Sequence, residues 1–120
     1  MYARAFLAGL ALWLVGTVAF RFGPAGLVQA PSVRRTLPTY LISAVLALIV
    51  ARLLMRMAGV PADARPAAVT LFILPTLLLD AFSTAFFAAV FPNLPAAAAP
   101  MFGGLMLISA AGAVLGAWLP

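Results

Sequence analysis

The chain has 120 residues, 67% of them hydrophobic and 8% charged, with a mean hydropathy of +1.22. A soluble domain needs roughly a quarter of its residues charged to cover its surface, so much of this surface must face hydrocarbon. Seven arginines against two aspartates give a net charge of +5, and the absence of lysine, glutamate, histidine and cysteine excludes disulfides, thiolate and imidazole metal sites, Ser-His and Cys-His nucleophiles and lysine Schiff bases.

A helix crosses a bilayer in about 20 apolar residues, and four runs of that order lie between breaks rich in Pro, Gly and Arg. The first extends from about Ala5 to Phe22, is preceded by Arg4 and stops at Gly23-Pro24. Arg4, the apolar stretch and Val28-x-Ala30 share the layout of a cleavable leader. The stretch is long enough to span, however, and Pro31 would follow the cut, so the segment is expected to stay as a helix. The second run, about Leu37 to Met57, follows Arg34-Arg35 and Pro38 and ends at Ala58-Gly59. A polar turn, Pro61 to Pro66, holds Asp63 and Arg65. From Ala67 the third and longest run continues through Pro75 to Phe91, where FPNLP breaks it. The fourth, about Ala97 to Leu119, carries no charge and has Trp118 near its end. Strands of a lipid-facing barrel would alternate apolar and polar residues, and these runs do not. The expected fold is therefore all-α, a four-transmembrane-helix bundle running up-down-up-down, with residues 1–120 as one membrane domain.

The arginines stand singly or as one pair, mainly where the runs begin or end. Despite a pI near 11.6, they read as anchors at the headgroups, because a nucleic-acid surface gathers several cations on one face. Four spans place both ends of the chain on one side with Arg4, Arg52, Arg56 and Arg65, opposite Arg21, Arg34 and Arg35. That difference of one charge favours a cytoplasmic location for the ends only weakly.

Asp80 lies 14 residues after Pro66 and 12 before Pro92, about 20 Å from either end of the run at 1.5 Å per residue. An ionised carboxylate at the bilayer centre costs about 3 kcal/mol on insertion scales, so the group must be protonated, paired, or beside water inside the bundle. Thr76, Ser83, Thr84 and Phe87 fall within about 60° of Asp80 on a helical wheel and make one inward stripe. Pro75 frees the carbonyl of Leu71 and is expected to bend the helix one turn before the aspartate. This stripe is a candidate proton or cation site, or else interhelical glue. The expected partner of Asp80 is Arg21, which ends the first run at the interface shared with Asn93; Arg52, on the opposite side, reads as snorkelling. In the fourth run Gly112-x-x-x-Gly116, with Ser109, Ala113 and Ala117 on an adjacent stripe, offers a small-residue packing surface within the bundle or across an oligomer. Gly9 and Gly16 offer a similar one in the first.

Two segments carry a family likeness. WLVGTVAFRFG, Trp13 to Gly23, and LLDAFSTAFFAAVFPNLP, Leu78 to Pro95, resemble a family of small bacterial four-helix membrane proteins known only as a domain of unknown function. The likeness lies in Trp13, Thr17, Phe20 and Gly23, then Leu79-Asp80-x-Phe82-Ser83 and Val90-Phe91-Pro92-x-Leu94. It implies an architecture and supplies no activity. Small multidrug-resistance exporters share the length and span count, but their first-helix glutamate has no equivalent in a chain without glutamate. Fluoride channels share only an echo in Phe82-Ser83-Thr84.

Two function classes follow, the first favoured over the second. A structural or accessory subunit, packing against itself or in a larger membrane complex, would be a dry bundle with Asp80 bonded to protein groups. A small transporter or channel-like unit using Asp80, Thr76 and Thr84 for a proton or cation would have a cavity reaching that depth. No cofactor, metal or nucleic acid is expected. One buried acid without base, nucleophile or ligand set is too little for an enzyme. The expected setting is the lipid bilayer of a bacterial inner membrane, crossed several times.

Overall fold

In a computed structural model describing residues 1–120, the chain forms α1 (Tyr2–Arg21), α2 (Val33–Met57), α3 (Arg65–Ala85), the single turn α4 (Phe87–Val90) and α5 (Ala99–Trp118). Short 3₁₀ turns at Ala62–Ala64 and Ala96–Ala98 lead into α3 and α5, and there is no strand. Four helical segments, Tyr2–Arg21, Val33–Met57, Ala62–Ala85 and Ala96–Trp118, are long and apolar enough to cross a membrane. Only 20 of the 120 residues are buried, while Leu7, Leu12, Val15, Leu41, Ile42, Leu46 and Leu53 point outward. Such a surface is stable in hydrocarbon and costly in water.

Two boundaries differ most from the sequence expectation. α2 begins at Val33, not Leu37, and takes Pro38 into its second turn. Extended Ser32 starts it: its carbonyl accepts the N–H groups of Arg35 and Thr36, and its own N–H donates to Thr36 Oγ1 at 3.2 Å. These bonds offset the one that Pro38 cannot donate. The third run does not reach Phe91 as one helix, because Phe86, at φ −109° and ψ 38°, leaves helical geometry. Beyond it Phe87 and Phe91 pack with Phe20 of α1 and Phe102 of α5, ring centroids 5.0 to 6.2 Å apart. Burying these rings outweighs a few ladder bonds.

The helices alternate in direction, yet sequence neighbours are not always spatial neighbours. α1 lies alongside α3 and α2 alongside α5, both pairs parallel, and antiparallel contact between α3 and α5 joins the pairs. The row α1–α3–α5–α2 bends into a slab of 42 × 29 × 20 Å, and α1 and α2 do not pack on each other. Small residues set the close pairs. A Cβ on Gly9 would overlap the Phe72 carbonyl, and one on Gly112 would overlap that of Ala44; Gly116 sits on the Leu48 carbonyl with somewhat more room, still too little for a Cβ.

Each parallel pair is tied at its end by an arginine. Arg21 of α1 donates to the carbonyls of Ala89 (3.4 Å) and Val90 (2.9 Å). Arg52 of α2 donates to Gly116 (3.2 Å), Leu119 (2.7 Å) and the Pro120 oxygen (2.7 Å). The last carbonyls of a helix have no partner of their own and are costly to leave bare near lipid, so Arg52 does more than snorkel. Arg52→Met keeps the aliphatic stem but removes the donors. It is expected to cost about 1–2 kcal/mol, read as a lower unfolding midpoint in detergent, while Arg56→Met on the exposed face of α2 should change little.

Two apolar clusters lie toward the ends of the slab. One joins Val28, Phe87, Phe91, Leu94, Ala98, Met101 and Phe102, the loop after α1 folding back to bury Val28. The other joins Ala51, Met55, Val60, Ala68, Val69, Ala113 and Ala117 at the opposite end. Between them the middle of the slab is hollow.

Candidate functional site: a cavity at Asp80

Asp80 is buried on α3 with 6% of its surface exposed. One carboxyl oxygen, Oδ1, accepts the indole N–H of Trp13 on α1 at 3.0 Å; the other, Oδ2, is buried and has no hydrogen-bond partner. Trp13 stands near the middle of the 20-residue α1, so this bond fixes Asp80 near mid-depth. Arg21 is not the partner. It sits two turns beyond Trp13, about 12 Å along the axis, where the carbonyls of Ala89 and Val90 at the end of α4 take its donors.

Asp80 faces a cavity of about 420 Å³ lined by all four long helices. Its polar wall consists of Trp13 and Thr17 from α1, Ser43 from α2, Thr76 and Asp80 from α3, and Ser109 from α5; Phe20, Phe72 and Phe102 supply aromatic faces. The cavity opens between α1 and α2, where exposed Leu12, Leu46 and Val50 form an apolar rim. This opening follows from the packing order, since the two outer helices of the row are not packed on each other. Wall chemistry of this kind, apolar with a few convergent polar groups, is what small-molecule sites present.

The structure thus brings Asp80 and Thr76 together, with Ser109 and Ala113 from the small-residue stripe of α5. Ser83 is buried but does not line the cavity, and Thr84 packs on Gly103 of α5. Gly112 and Gly116 look the other way, onto α2. Arg21 and Asn93 belong to a separate cluster at the end of the slab. Asn93 Nδ2 donates to the carbonyls of Phe20 (2.8 Å) and Gly23 (3.0 Å), capping α1 as Arg21 caps the end of α4, while Asn93 Oδ1 is buried without a partner. Asn93→Leu should cost about 1–2 kcal/mol by leaving those carbonyls bare, and faster amide exchange at the end of α1 would report it. Sequence reasoning about the site missed Trp13, Thr17 and Ser43. The available signal was that Trp13 and Thr17, four residues apart, share a face of a run otherwise almost wholly apolar.

Fold and site together define a helical, multi-pass membrane protein with a largely apolar pocket at mid-depth that carries a few polar groups. The chain belongs to a family of unknown function, DUF5367, which it matches over residues 32–120. The match takes in α2 to α5 and with them Asp80, Thr76 and Asn93; α1 with Trp13 precedes it. No curated protein and no solved structure matches the chain.

Proposed function

We propose that the protein is a small transporter or channel-like unit of a bacterial inner membrane, working through a proton or cation held at Asp80. The observation that carries this reading is the buried, unpartnered Oδ2 of Asp80 beside a cavity with four hydroxyl-bearing walls. A carboxylate kept solely as glue would have both oxygens satisfied in a dry seam. The accessory-subunit reading, in a homo-oligomer or larger complex, draws support from the Trp13–Asp80 bond and the close glycine contacts. These hold the bundle together without requiring a cavity, which is why the transport reading is preferred. A hydrolytic role is not preferred, because Asp80 is the one ionisable side chain in the cavity wall and has no second acid or base beside the hydroxyls.

Purified protein in lipid vesicles should collapse an imposed proton or potassium gradient faster than protein-free vesicles, and Asp80→Asn should return the rate to that of the empty vesicles. Equal rates for wild type and Asp80→Asn, or for wild type and empty vesicles, would remove this reading.

A further inference from the structure

We infer that the Asp80 cavity takes a lipophilic organic cation, an ammonium on an apolar body, admitted from the membrane through the gap between α1 and α2. The inference rests on the reading of Asp80 as a cation site and names the class of cation.

The walls decide the class. An inorganic cation gives up its water only to a shell of about six oxygens. The residues lining this cavity bring one carboxyl group, Asp80, whose Oδ2 has no partner, and the hydroxyls of Thr17, Ser43, Thr76 and Ser109, each on a different helix, while 13 of the 19 lining residues are hydrophobic. An alkylammonium has only three N–H groups to satisfy and brings its own hydrocarbon. Asp80 Oδ2 supplies the charged acceptor, hydroxyls can supply the others, and the aromatic faces receive the apolar body. A volume of about 420 Å³ lies within the range of sites for small organic molecules.

The route follows from the packing. The aromatic cluster of Phe20, Phe87, Phe91 and Phe102 lies toward one end of the slab. The gap between α1 and α2 is edged by Leu12, Leu46 and Val50, all about half exposed. A hydrated ion meets only hydrocarbon at that rim, whereas a molecule already dissolved in the bilayer meets a surface like its own surroundings.

Trp13 reports occupancy directly. In a Trp118→Phe background it is the sole tryptophan, and its emission can be followed in lipid nanodiscs during titration with 4-phenylbutylamine, with the neutral 4-phenylbutanol, and with potassium chloride alone. The amine should change the emission saturably, and the alcohol should bind at least about tenfold more weakly, the factor expected for a hydrogen bond to a charged group. Asp80→Asn keeps an acceptor for the indole and should weaken the amine by a similar factor. An alcohol that binds as tightly as the amine overturns the cationic class and leaves the Asp80 flux experiment standing. A response to potassium but not to the amine assigns the site to inorganic ions and equally overturns the inference. Because the chain has no cysteine, a Leu12→Cys/Leu46→Cys pair can be bridged uniquely by a bifunctional thiol reagent. Bridging should slow amine loading several-fold, and an unchanged rate rules out admission through the gap.

Discussion

Gly112→Ala, a change of one methyl group, is expected to cost about 3 kcal/mol of stability, at the upper end of what overpacking does. The new carbon would overlap the Ala44 backbone carbonyl, and a backbone group cannot rotate away as a side chain can. Relief requires α2 and α5 to separate, which loosens contacts along both helices, including the Gly116 seat on Leu48 and the Arg52 bonds. Gly16→Ala is the internal comparison. No atom lies within 4 Å of a Cβ there, so alanine should be neutral or stabilise by up to about 1 kcal/mol through helix propensity. Unfolding in mixed micelles measures both, and equal midpoints for the two variants would contradict the close seating of α2 on α5.

The second large effect is expected at Trp13. Trp13→Phe keeps an aromatic ring but removes the one N–H that Asp80 accepts, leaving a buried carboxyl group without a donor. Interhelical hydrogen bonds in membranes are individually modest, averaging about 0.6 kcal/mol, but stranding a buried polar group costs about 1–3 kcal/mol. The second quantity governs, and a loss of about 2 kcal/mol is expected. Asp80→Leu removes the stranded group, so Trp13→Phe with Asp80→Leu should cost less than the sum of the single changes by about 1 kcal/mol. Arg21→Met with Asp80→Leu should be additive, because Arg21 spends its donors on Ala89 and Val90. Additivity in the Trp13 cycle together with coupling in the Arg21 cycle would place the carboxyl group on the arginine.

The contrast between these cycles marks where the sequence was legible. Four spans follow from run length and from the breaks at Gly23-Pro24, Gly59-x-Pro61 and Pro92, since crossing hydrocarbon fixes helix length with little freedom. The depth of Asp80 follows from the same arithmetic. Its partner does not, because a wheel shows which residues share one helix face and says nothing of which helix lies opposite. Arg21 was favoured by charge, yet its level along α1 puts it beside helix-end carbonyls, whereas Trp13, neutral and thus inconspicuous, stands at the level of the acid. Pairing of α1 with α3 was equally hidden: a span apolar all round, such as α5, carries no mark of its neighbour. The break at Phe86 has a third cause, since the local sequence supports a helix and only packing against Phe20 and Phe102 ends it.

The parallel pairing of α1 with α3 and of α2 with α5 bears on how the protein is made. While synthesis has delivered only the first two helices, neither has its mate: Trp13 awaits a residue 67 positions downstream, and Arg52 carbonyls 64 to 68 positions downstream. A ribosome adding residues one by one therefore feeds lone cylinders into the bilayer, and nothing native can assemble until the second half of the chain arrives. The half-made polypeptide exposes a bare indole and orphan guanidinium groups to lipid, which makes that interval its most vulnerable moment.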